Sequence, residues 1–139
     1  MGAEDVVVDA SAITGFLLNE KPGALGIMEA CIRGGGRLLA PDLAYAEVAN
    51  AVWKAHALCS LMGREEVEEV LCVLHRLPLA WVRHGEVLIG GAFRVAIEAG
   101  VTVYDSIYIA LAKLERAELV TSDTRQAEAA EGIVTVRLV

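Results

Sequence analysis

Asp9, Glu47, Asp105 and Asp123 are carboxylates set beside or within apolar runs: "DVVVD", "APDLAYAEVANAVWK", "VTVYDSIYIALAKLE" and "ELVTSD". A carboxylate in such a place has two uses. It can cap a helix, accepting hydrogen bonds from the first free backbone N–H groups at the positive end of the helix dipole. Gathered with others, it can bind a cation. Two like charges about 4 Å apart repel by roughly 4 kcal/mol at an effective dielectric of 20, against a domain stability of about 5 to 15 kcal/mol. A cluster must therefore hold a cation or keep a proton on one member. With oxygen donors and no histidine or thiolate nearby, the matching ion is hard, Mg²⁺ or Mn²⁺. The reaction class that fits is metal-assisted hydrolysis of a phosphodiester, which requires no protein nucleophile.

Three polar neighbours extend this set. Ser11, two residues past Asp9, and Ser122, beside Asp123, can hydrogen-bond a carboxylate, a bound water or a phosphate, and can equally be plain turn or capping serines. Asn50 and Lys54 follow Glu47 by three and seven residues, so all three share a helix face. Lys54 and Lys113 can steer a polyanion or simply solvate helix faces.

The elements that must position these residues alternate between strand and helix. "DVVVD" (5 to 9) is a β-branched run without polar alternation, the pattern of a central parallel strand covered on both faces. Helix "GALGIMEACIR" (23 to 33) closes in a glycine loop, and "RLLAP" then rises as a strand that stops at Pro41. Asp42 is the expected N-cap of helix 43 to 59, and a further helix spans 64 to 77 with an acidic, solvated face. "PLAWV" (78 to 82) reads as an edge strand, and 85 to 100 as a helix ended by Gly100. Asp105 opens the next helix, whose Ile107, Ala110, Leu111 and Leu114 form one core-facing stripe. Strand 118 to 123, helix "TRQAEAAEG" and strand 133 to 139 complete the chain. The expected fold is α/β, a three-layer α/β/α sandwich with a mainly parallel central sheet. In such a sheet ligands bind outside the carboxyl ends of the strands, where all four acids can meet.

Composition narrows the class. The 139 residues, 55% hydrophobic and 22% charged, suit a single domain spanning 1–139 with its own core. No apolar run reaches eighteen residues, and the opening "MGAEDVVVDASAITGFLL" is acidic where a signal peptide needs positive charge, so a cytoplasmic protein without a membrane partner is expected. Cys31, Cys59 and Cys72 form neither an even set nor a C-x-x-C and read as buried thiols, while His56, His75 and His84 lack ligand spacing. A net charge of −7 excludes a protein that coats nucleic acid through a basic face. It invites a basic partner.

The segments "VVVDASAITGFLLNE", "APDLAYAEVANAVWK", "GVTVYDSIYIALA" and "LVTSD", in this order and spanning nearly the whole chain, resemble the four signature segments of PIN-domain ribonucleases, in particular the short VapC-type toxins of VapBC toxin–antitoxin pairs. The resemblance implies a PIN-like fold and Mg²⁺- or Mn²⁺-dependent endoribonuclease activity on RNA. It places Asp9 and Asp105 against the metal, with Glu47 and Asp123 completing the site. It also implies a homodimer and a cognate antitoxin that inserts a basic side chain among the carboxylates. Two other readings are a PIN-like module that only binds protein, and a phosphoacceptor receiver domain. The latter expects an adjacent acidic pair after the first strand, whereas Asp9 is followed by Ala10.

Overall fold

The structure is a computed structural model and describes residues 4–139. Five strands, β1 (Val6–Val8), β2 (Leu38–Pro41), β3 (Leu79–Val82), β4 (Glu118–Thr121) and β5 (Val136–Leu138), pair in the order β3-β2-β1-β4-β5. Every pairing is parallel. β1 and β2 are buried along their whole length, which is why they are written in Val, Leu and Ala without alternation, while the edge strands β3 and β5 are partly exposed.

Seven helices connect the strands among the described residues: α1 (Ala10–Leu17), α2 (Gly23–Arg33), α3 (Asp42–Ala57), α4 (Arg64–Arg76), α5 (Glu86–Ala99), α6 (Val103–Glu115) and α7 (Thr124–Ala130). The chain steps outward from β1 to β2 to β3 through α1–α4, then returns across the sheet to β4 through α5 and α6. Right-handed crossovers place these two groups on opposite faces, giving the expected three layers. α6 lies across β1, β2 and β4, and α5 packs along α6. No single helix among the described residues is long and apolar enough to cross a membrane.

Several local expectations are corrected. Asp105 is not the N-cap of α6: Thr102 takes that position and accepts a hydrogen bond from the Asp105 N–H at 3.2 Å, leaving the Asp105 side chain free of capping. Nor is α6 buried along one stripe only. Ser106 through Ala112 are all buried, because the helix is covered by the sheet on one side and by α5 on another. Asp42 lies in the first turn of α3 and does not cap it; the Leu43 N–H donates instead to His84 Nε2 at 3.1 Å. The last strand is shorter than 133 to 139, since the Ile133 and Val134 N–H groups bond to Ala130 O and close α7. Of the cysteines, only Cys31 is buried; Cys59 and Cys72 are exposed, and all three are free.

Gly36 lies against the backbone just ahead of β1. A Cβ there would overlap the Glu4 carbonyl and come within 3.0 Å of Cys31 Sγ. Gly36→Ala should therefore lower the unfolding free energy by about 1–3 kcal/mol, the usual effect of overpacking, read as a lower urea midpoint at unchanged m-value.

Candidate active site

The strand order reverses between β1 and β4, the point where a parallel sheet opens a crevice at its carboxyl edge. Val8 pairs with Val120 there, and the next residue, Asp9, donates its backbone N–H to Val120 O at 3.0 Å. Asp9 then leaves the strand and caps α1, its Oδ1 accepting from the Ala12 N–H at 3.0 Å and from Ser11 Oγ at 2.6 Å. Thr121 Oγ1 donates to Oδ2. The residue is 4% exposed.

These donors are shared with β4. The Thr121 hydroxyl accepts from the Asp123 N–H at 3.0 Å, and the Ser11 hydroxyl from the Ser122 N–H at 3.0 Å. Asp123 caps α7, accepting from the Arg125 N–H at 2.9 Å, and its carboxylate is exposed. Ser11 and Thr121 thus stitch the two strand ends together around Asp9. Burial pushes the Asp9 carboxyl above its ordinary value, the hydrogen bonds from Ser11, Thr121 and Ala12 pull it down, and the Asp123 charge adds to the upward push.

Asp105 and Asp123 line one cleft of about 370 Å³, together with Val101, Arg125, Gln126 and Glu128. Glu47, exposed on α3, is held from α6 by the Tyr108 hydroxyl, which donates to Oε1 at 2.6 Å. Tyr108 is 4% exposed. Burial drives its phenol pKa far up, aided by the bond to Glu47 and by the charges of Glu47 and Asp9, so the hydroxyl stays a donor.

The four acids are therefore neighbours in pairs. Asp9 and Asp123 meet through Thr121, Asp105 and Asp123 share a cleft, and Tyr108 relates Glu47 to Asp9. The single tight cluster expected from the sequence is not formed: among the described residues no three His, Cys, Asp or Glu side chains are close enough to hold a metal ion together. Asp9 and Asp123 are turned toward the helices they cap and Glu47 toward Tyr108, and mutual repulsion favours that separation. Ser11 and Ser122 join the network, whereas Asn50 is exposed on α3 and Lys113 lies at the opposite, amino edge, in a cavity with Glu4 and Asp5. The donor set is all oxygen, partly buried and open to solvent. It fits a hard divalent ion that keeps several waters and takes one or two carboxylates, and does not fit an ion caged by protein alone.

Sequence reasoning passed over Tyr108, Thr121 and Gln126. Each carried a signal, being a polar residue inside or beside a segment that has to be buried.

The PIN domain family model matches residues 6–132, and the chain belongs to that family. It is 38% identical over 132 residues to Ribonuclease VapC3 of Pyrobaculum aerophilum, a match covering 94% of this chain and 98% of the relative. In fold it is similar to VapBC2 from Rickettsia felis bound to a DNA fragment from their promoter, with a TM-score of 0.74 at 12% identity over 96% of this chain and 97% of the other. A toxin–antitoxin complex from Klebsiella pneumoniae gives 0.68 at 18% identity, over 96% of each chain. The resemblance seen in the four motif segments is borne out, and the receiver-domain reading is set aside.

The raised Asp9 pKa has a stability consequence. The native state holds this proton to higher pH than the unfolded chain, so the group's favourable contribution is full below its ordinary value of 3.8 and is lost as pH rises through the native pKa. At neutral pH, Asp9→Asn should raise the melting temperature, by about 4 °C for each kcal/mol relieved. Thermal melts of both proteins from pH 4 to pH 8 should show that difference growing with pH.

Proposed function

We propose that this chain is a divalent-metal-dependent endoribonuclease that hydrolyses RNA phosphodiester bonds, the toxin of a type II toxin–antitoxin pair. The observation that carries the reading is a buried carboxylate, Asp9, at the strand-order reversal, joined through Thr121 to Asp123, which shares a cleft with Asp105, in a chain of the PIN-domain family. Asp9 and Asp105 are the residues that would hold Mg²⁺ or Mn²⁺, with Glu47 and Asp123 completing the site. When bound, such an ion supplies Lewis acidity and neutralises charge on the phosphate. The chain's own part is positional. Ser11 and Thr121 fix both oxygens of Asp9, and Tyr108 fixes Glu47.

The surroundings support RNA as substrate. The segment 75–84, "HRLPLAWVRH", carries two cations, Arg76 and Arg83, and no acid, in a chain of net charge −7. Its strand, β3, ends on the same sheet edge as β1, with only β2 between them, roughly 10 Å away at the usual strand spacing. Tyr45 packs there against Trp81 with ring centroids 4.9 Å apart. Cations for the backbone and rings for unstacked bases are what single-stranded RNA requires.

The antitoxin partner is supported by the acidic edge, which a basic side chain would neutralise. The homodimer is supported by Phe93 and Ile97 on α5, 58% and 69% exposed one turn apart. We place the protein in the cytoplasm, with residues 1–139 acting as one nuclease domain.

With Mn²⁺ the wild type should cleave single-stranded RNA, and EDTA should abolish cleavage. Asp9→Asn and Asp105→Asn should each lower kcat by at least about a hundredfold while remaining folded by circular dichroism; full activity in Asp9→Asn would remove Asp9 from the site, and a wild type inactive with Mn²⁺ would leave only a protein-binding module. Arg83→Glu should weaken RNA binding and reduce the slope of log affinity against log salt by about 1, read by fluorescence anisotropy, without removing cleavage.

A further inference from the structure

Asp105 and Asp123 face one cleft although they belong to different helices, and the elements that carry them are joined by a strand and two turns. Asp123 is placed by the end of β4, through its N–H bond to Thr121 Oγ1. The Asp105 side chain caps no helix, so the height of its carboxylate in the cleft depends on where the first turn of α6 sits against α7. The side chain that joins these two turns is Gln126, in the first turn of α7. It is 5% exposed, and its Nε2–H donates to the Asp105 carbonyl at 2.9 Å.

The other half of the amide makes this contact informative. Gln126 Oε1 is buried and, among the described residues, has no hydrogen-bond partner. Turning the amide over would set oxygen against oxygen at Asp105, so the orphan follows from the donor's engagement. A buried unpaired oxygen is unfavourable, and a side chain of the same size without polar atoms would fill the space without that loss. The neighbouring cleft residues Ala99, Val101 and Ala129 are apolar and would accept such a replacement. What the amide supplies and an apolar side chain does not is a fixed distance between α7 and the backbone of Asp105.

We infer that Gln126 is a positioning residue for the acidic site: its buried amide clamps the first turn of α6 to α7 so that the Asp105 and Asp123 carboxylates present to the same cleft. This rests on the nuclease reading above, since the acids it aligns are the ones that would receive the ion.

The test compares the full-length wild type with Gln126→Met, which keeps the volume and removes the donor together with the orphan oxygen. In metal-free buffer its melting temperature should equal or exceed that of the wild type. The Mn²⁺ concentration giving half of the metal-induced rise in melting temperature should increase about tenfold, the usual effect of losing a contact that orients metal ligands. On single-stranded RNA at fixed Mn²⁺, kcat should fall about tenfold while KM changes less than twofold. A variant that melts lower but keeps the wild-type Mn²⁺ midpoint and kcat would overturn the inference and leave Gln126 a packing residue. Should Gln126→Met fail to fold, Gln126→Asn, one methylene too short to reach the carbonyl, carries the same comparison. An active wild type matched in full by both variants would remove the clamp alone. A wild type with neither RNA cleavage nor any response to Mn²⁺ would remove the nuclease reading and the clamp with it.

Discussion

The Asp9 carboxylate sits in the seam between β1 and β4, almost out of contact with water, and a lone charge in such a place costs several kcal/mol unless something compensates it. What compensates it here is a ring of donors from three sources: the first turn of α1, the Ser11 hydroxyl and the Thr121 hydroxyl. None of these carries a positive charge, so the carboxyl is held in place without being neutralised. The ring also fixes backbone. Because Ser11 and Thr121 accept N–H groups from residues 122 and 123, the position of Asp123 depends on the same hydroxyls that hold Asp9. The site and the central strand pairing are one structure.

That coupling extends through α6. The body of the helix, Ser106 to Ala112, is buried in the core, while the first turn ahead of it carries a partly exposed acid and is followed by a buried phenol one turn later. The phenol reaches across to Glu47 on α3, a helix that the crossovers place on the other face of the sheet. An exposed glutamate, otherwise free to sample rotamers, is thereby tied to the helix with the longest buried stretch. Preorganisation comes from the core outward, and no loop is needed to supply it.

The alternation of β-branched runs with helical spacing was enough to read the sheet, its parallel sense and its three layers, because strands buried on both faces cannot be written any other way. The four acids were legible for a related reason: a carboxylate next to "VVV" or inside "YDSIYIALA" contradicts its surroundings. Less legible was which residue caps which helix. Thr102 and Asp105 both suit the first turn of α6, and only the three-dimensional course of the chain from Gly100, in the left-handed conformation, decides between them. Tyr108, Thr121 and Gln126 were overlooked because their partners lie 61, 112 and 21 residues away, beyond what local spacing encodes. The tight four-acid cluster was expected from strand-end geometry alone, which gives the edge on which side chains lie but not the hydrogen bonds that turn Asp9, Asp123 and Glu47 along it.

β1 makes the contrast between stability and function explicit, since an aspartate flanks each end of its three residues. At the amino end, Asp5 accepts from the Arg37 guanidinium at 2.7 Å and from the Arg37 backbone, bonds that hold its carboxyl below the usual range. Glu115, in the last turn of α6 where a negative charge opposes the helix dipole, shares the same arginine at 3.0 Å. At the carboxyl end Asp9 has no cation and is shifted the other way. Nor does Asp105, Asp123 or Glu47 form an ion pair among the described residues, although the same fold pairs Glu118 with Arg137 at 2.7 Å. The arginines that form ion pairs neutralise structural acids away from the edge where the sheet opens, while Arg125, which lines the cleft there, pairs with none of the four site acids among the described residues. An acidic edge left uncompensated by a chain that pairs its acids elsewhere lowers stability there, and the charge deficit it leaves is what a divalent ion, or the basic side chain of a protein partner, is suited to fill.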